Sequence, residues 1–211
     1  MRRREFFRGI AGGAAGFVGA PLTNLADIFS SGIKTDAFAD NYSRLRDRFA
    51  LNEGEKFIVV DGKNQRMYVL RGFDDSQLLL SSYVISTAAN GFGFVYGSGM
   101  TPYGVHRIYG KGGDGTASGT VFFIKYLEGK TYQNVNPPVP HPLLTTRILQ
   151  LDGLEEYNKN TADRAVWIHG TNMENLLGTP ASGGCIRMAN KDVVKFYREV
   201  ANGTLVDIVK D

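Results

Sequence analysis

The chain's only thiol, Cys185, stands among residues that could give it chemical work. Ser182-Gly183-Gly184 precedes it, Ile186-Arg187 follows, and His169-Gly170-Thr171 lies upstream. A single cysteine cannot close an internal disulfide, so it is a small buried hydrophobe, half of an intermolecular bridge, or a nucleophile. The last role needs a thiolate, hence a nearby base, a cation and room for a substrate. His169 is the candidate base. Gly183 and Gly184 allow backbone angles that bring N–H groups up to a carbonyl oxygen, as an oxyanion hole requires. If the segment is extended, alternation puts Cys185 and Arg187 on one face and Ile186 on the other. The guanidinium would then favour the thiolate or hold a carboxylate.

The elements that must position these groups read as mainly β with a few short helices. Strand patterns occur at 57–60, 66–71, 78–86, 105–109, 121–126, 145–152 and 165–168, with a last one at 204–209. Asp61-Gly62-Lys63-Asn64 reads as a hairpin turn between the first two, which makes the sheet mostly antiparallel. The 165–168 strand delivers His169 at its end, with Trp167 and His169 on one face by period two. Residues 173–177 suggest a helical turn. Asn190 is positioned to cap a helix whose inner face is Val193, Phe196, Tyr197 and Val200, and Gly203 to end it. A narrow apolar stripe of Tyr42, Leu45 and Phe49 predicts an amphipathic helix over 40–51. The loop 90–99 combines glycines with Phe92, Phe94 and Tyr96, a composition suited to a flap over an extended substrate or to a plain long hairpin loop.

Composition bounds the function. The chain is 43% hydrophobic and 21% charged, enough apolar material for one sizeable core. Its net charge is +3, but residues 1–39 hold five basic residues against three acidic ones, so +1 remains for the rest and no nucleic-acid partner is expected. Gly110-Lys111-Gly112-Gly113-Asp114-Gly115 has the spacing of a dinucleotide loop but is followed by strand-like sequence rather than a helix, which excludes that site. His106, His141 and His169 have no metal-ligand spacing, so no metal is assigned. His106 is read as a packing residue in its strand.

Residues 1–20 begin with a cationic stretch and continue into a small-residue, mildly apolar run, as a signal peptide does. Arg3-Arg4-Glu5-Phe6-Phe7-Arg8 resembles the twin-arginine export motif. The apolar run is too short for a permanent membrane span. The chain therefore divides into an export segment at 1–39, a helix and linker at 40–54, and one catalytic domain at 55–211, with the periplasm or cell envelope as its expected place.

His169-Gly170-Thr171 followed by Ser182-Gly183-Gly184-Cys185-Ile186-Arg187-Met188 closely resembles the signature of the YkuD-type L,D-transpeptidases. Thr101-Pro102-Tyr103-Gly104 is similar to a second segment of that family, and the likeness covers about residues 55–210. The resemblance implies a β-sandwich or barrel-like catalytic domain that forms 3→3 crosslinks between peptidoglycan stem peptides through a thioester. It implies Cys185 as nucleophile, His169 as base oriented by the Gly170 carbonyl, and the amides of Gly184 and Cys185 as oxyanion donors. Arg187, Ser182 and Tyr103 would bind substrate. A tetrapeptide donor and an amine acceptor are the implied partners, with no cofactor, because the energy of the donor amide is kept in the thioester. The same site would serve an L,D-carboxypeptidase or endopeptidase if water took the acyl group, or a lipoprotein-to-wall ligase. Gly183 stands where the family often has histidine, and His106 where it often has an aromatic residue.

Overall fold

The fold is that of a computed structural model, which describes residues 34–35, 37–73, 76–122 and 142–210. The export motif, His141 and residues 123–126 of one expected strand lie outside the described residues. In chain order the elements are β1 (Lys34–Thr35), α1 (Ala39–Phe49), β2 (Lys56–Asp61), β3 (Arg66–Phe73), β4 (Ser76–Ser86) and β5 (Gly104–Gly112). Then come β6 (Val121–Phe122), β7 (Leu144–Gly153), β8 (Trp167–Gly170), β9 (Ile186–Met188), α2 (Asn190–Glu199) and β10 (Leu205–Val209).

Neighbouring strands run β4-β3-β2-β10-β5-β7-β8-β9, and β9 pairs back onto β4 through Ile85↔Met188 and Ser86↔Arg187. That last pairing closes the sheet into a barrel-like ring. The ladders are antiparallel except β2–β10 and β8–β9. The interior is filled by alternate residues of each strand: Ile58 and Val60, Met67 and Val69, Leu149 and Leu151, Ile186 and Met188. Val193 and Phe196 of α2 join this core, with the Phe196 ring edge-on to Tyr83 at 5.8 Å.

Helix α1 covers the other side of β2 and β10. Tyr42 stacks on Phe57 at 5.6 Å, and Leu45 is fully buried beside it. Asn41 and Arg44 both donate to the buried carboxylate of Asp207, which interrupts an otherwise apolar β10. Breaking such a pair from one side strands a buried charge, so the helix is held to the barrel by more than its narrow stripe.

Three expectations about local structure are corrected. The strand expected at 165–168 begins at Trp167, because Ala165 has φ +52° and its N–H bonds back to Ala162 in a turn. His169 is thus inside β8. Asn190 is not the cap of α2: Ala189 takes that position with no side-chain cap, and the Asn190 side chain is engaged elsewhere. Gly203 does not cap this helix, which ends at Glu199; it has φ +92° in the tight turn into β10. The expected helical turn at 173–177 is a single 3₁₀ turn at Glu174–Leu176.

Candidate active site

Parallel pairing of β8 with β9 sets Ile168 against Ile186 and His169 against Arg187. Ile168 and Ile186 enter the main core, so by alternation Trp167, His169, Cys185 and Arg187 are on the face turned away from it. The Trp167 N–H reaches the Cys185 sulfur at 3.4 Å. His169, Cys185 and Arg187 line one cleft of about 140 Å³, together with Gly183 and the 142–144 segment. A second cleft of about 270 Å³ meets it at Gly183 and Cys185, and is walled by Tyr96, Gly99, Arg164 and Ala165.

His169 is buried, and its Nδ1 lies 2.7 Å from the Gly170 carbonyl oxygen. A carbonyl only accepts, so Nδ1 carries the hydrogen and Nε2 keeps its lone pair. Burial lowers the His169 pKa to about 4, with the nearby Arg187 cation acting the same way. Burial pushes the half-buried Cys185 thiol up, against the Trp167 N–H and the Arg187 charge, which both favour the thiolate. At neutral pH the resting pair is therefore a neutral thiol and a neutral imidazole ready to take a proton.

Gly170 has no room for a side chain. A Cβ there would lie 2.5 Å from Asn190 Oδ1 and 2.7 Å from the Thr145 carbonyl. Asn190 accepts from the Thr145 hydroxyl at 2.6 Å and from that of Thr146, and donates to the Thr171 carbonyl at 2.9 Å and to Glu174. It ties the segment after His169 to β7, a role that the sequence reading missed.

The cysteine loop is equally constrained. Gly184 has φ +128°, a region that favours glycine. Its N–H donates to Ser182 Oγ at 3.2 Å, and Ser182 Oγ donates to the Cys185 carbonyl at 2.5 Å. Ser182 thus fixes the turn and holds the amide assigned to the oxyanion hole. Arg187 is buried and donates to the Ala181 carbonyl at 3.0 Å. Of Thr101-Pro102-Tyr103-Gly104, it is Thr101 that touches this loop, donating to the Gly184 carbonyl at 2.9 Å. Tyr103 packs instead between Phe94 and Tyr157, at 4.5 and 5.8 Å, and lines neither cleft. His106 is buried in β5, bonded to Gly104 and Thr161, as a packing residue is.

A barrel-like, mainly β protein with a cysteine, a histidine and an arginine gathered on one strand pair defines the class. Residues 55–208 match the model of the YkuD L,D-transpeptidase catalytic domain, and the chain belongs to that family. Two proteins of Bacillus subtilis (strain 168) with L,D-transpeptidase names are similar to it. YqjB is 35% identical over 111 residues, 51% of this chain and 60% of its own, and YkuD is 54% identical over 41 residues, 19% and 25% of the two chains. An L,D-transpeptidase structure from Mycobacterium smegmatis aligns with TM-score 0.47 at 15% identity, over 74% of this chain and 58% of that one. In each case the match spans less than two thirds of the relative's own length.

Proposed function

We propose that the protein is a cysteine-dependent L,D-transpeptidase of the cell wall. Cys185 Sγ attacks the amide carbon that joins the third residue of a tetrapeptide stem to its terminal D-alanine. As the S–C bond forms, His169 Nε2 takes the thiol proton, and it gives that proton to the nitrogen of the departing D-alanine as the C–N bond breaks. The stem is left as a thioester. An amine of a second stem then attacks it, loses a proton to His169 and releases the thiol, which leaves a 3→3 crosslink. The Arg187 cation favours negative charge on sulfur, and amides of the Gly184-Cys185 turn would receive the oxyanion once Gly184 exchanges its bond to Ser182 for one to substrate.

The observation that carries this reading is the shared cleft of His169, Cys185 and Arg187, with Nδ1 fixed on the Gly170 carbonyl. The cationic N-terminal stretch with paired arginines supports export to the envelope, where that polymer lies. The test is to incubate the protein with tetrapeptide muropeptides and weigh the products. Crosslinked dimers are expected, and none from Cys185→Ala. Tripeptides without dimers would make it a hydrolase with the same site; undiminished product from Cys185→Ala would overturn the mechanism.

A further inference from the structure

Arg164 lies in the turn before β8, outside every motif that pointed to the site. Its Nη1 donates to the Gly93 carbonyl at 2.9 Å, and its Nη2 to the Met100 carbonyl at 2.6 Å and the Ser98 hydroxyl at 3.5 Å. The guanidinium thereby staples both ends of the loop at 93–100 against the cleft that reaches Cys185. All three acceptors are neutral. A guanidinium has five N–H donors, so two have no partner among the described residues. No carboxylate among the described residues is within ion-pair distance of it. Arg164 is half-buried, and it is the one charged side chain among the residues that line this cleft. A partly desolvated cation with open donors and no counter-charge is stabilised by an anion that enters beside it, most of all by a planar one that can take two N–H bonds.

We propose that Arg164 determines specificity by receiving a carboxylate of the peptide that lies against Cys185. This rests on the acyl-transfer reading only for the identity of the peptide. A wall stem offers such a group at its C-terminus and, where the third residue is a diamino acid, at that residue's second centre. Because the same guanidinium holds Gly93 and Met100, an anion bound there also steadies the loop over the substrate.

Two measurements test this. The first needs no acyl transfer: the rate at which Cys185 is alkylated by iodoacetate, divided by the rate with neutral iodoacetamide, each reagent forming an S–C bond as iodide leaves. Arg164→Gln is expected to lower this ratio severalfold, and Arg164→Lys, which keeps the charge, to retain most of it. Asn160→Ala is the control, since Asn160 donates to the Phe94 carbonyl at 2.8 Å and holds the same loop without charge. An unchanged ratio in Arg164→Gln, or an equal fall in Asn160→Ala, would overturn the proposal. The second compares donor peptides amidated at the C-terminus or at the second centre. Amidation of the recognised carboxylate is expected to raise KM about 10- to 100-fold in the unmodified protein and little in Arg164→Gln. Equal tolerance of both amidations would overturn it. A ratio that falls while neither peptide is turned over would keep the anion site and remove the transpeptidase reading instead.

Discussion

His106 and His169 look alike by every measure of burial and differ in one bond. Both are almost fully buried, burial lowers both to a pKa of about 4, and each sets Nδ1 against a nearby backbone carbonyl, Gly104 at 2.9 Å and Gly170 at 2.7 Å. The second nitrogen separates them. Nε2 of His106 is 3.1 Å from the Thr161 hydroxyl, which is also bonded to the Asn158 carbonyl, so that ring is closed into a structural network. Nε2 of His169 has no partner among the described residues, and its ring lines a cleft with Cys185. A shifted pKa alone therefore does not separate the two; an unspent Nε2 lone pair on a ring that shares a cleft with Cys185 does, and the proposed reaction asks that of its base.

The sharpest way to break this contrast is to remove each ring. His169→Gln is expected to lower turnover of muropeptides about 10²- to 10⁴-fold, the usual worth of a general base. His106→Gln leaves turnover near that of the unmodified protein. A comparable loss in both, with both variants folded by circular dichroism, would erase the distinction.

Acid should treat the two alike. Each histidine takes its proton at about pH 6.5 in the unfolded chain and near 4 in the fold, so between those values the unfolded chain binds more protons. Stability is whole above 6.5 and falls as the pH falls toward 4, by up to about 3 kcal/mol for each histidine. Urea unfolding at neutral pH and near pH 4 measures the fall, and His106→Gln should lose its share of it. An unaltered acid sensitivity in that variant would show that His106 titrates normally in the fold.

The glycines that supply the two carbonyls sharpen the comparison further. A Cβ at Gly104 meets Glu155 Oε2 at 2.3 Å with φ +90°, and one at Gly170 meets Asn190 Oδ1 at 2.5 Å. Both alanine variants are expected to lose about 1–3 kcal/mol by overpacking. Only Gly170→Ala should also lower kcat, because in the proposed mechanism only its carbonyl orients the base. A selective fall in kcat for Gly104→Ala would reverse the assignment.

The sequence showed one half of this arrangement and hid the other for a physical reason. Alternation around Ile186 placed Cys185 and Arg187 on one face, and the same period placed Trp167 with His169, because side-chain parity along a strand is a local property. Arg164 gave no such signal: its partners are carbonyls of residues 93 and 100, and a carbonyl is the same in every residue. Asn190 misled, since an asparagine ahead of a helical pattern reads as a cap, whereas hydroxyls from residues 145 and 146 claim its oxygen in the fold. The late start of β8 follows from φ +52° at Ala165, a backbone state that alanine does not announce. Closure of the ring through β4 and β9 is likewise non-local, and no stretch of sequence contains it.

The smallest expected effect falls on Gly183, where both clefts meet. Unlike Gly170 and Gly104, it has nothing within 4 Å of where a Cβ would stand, and its φ is outside the left-handed region. The space its missing side chain leaves is open groove rather than packed interior. Gly183→Ala should thus change stability by no more than about 0.5 kcal/mol, as at an ordinary surface position. Gly183→His should be tolerated equally well while altering KM for the peptide that lies across the junction. Thermal unfolding and KM measured together decide the point: a stability loss as large as that of Gly170→Ala would mean that Gly183 is held by the loop, not by the needs of the substrate.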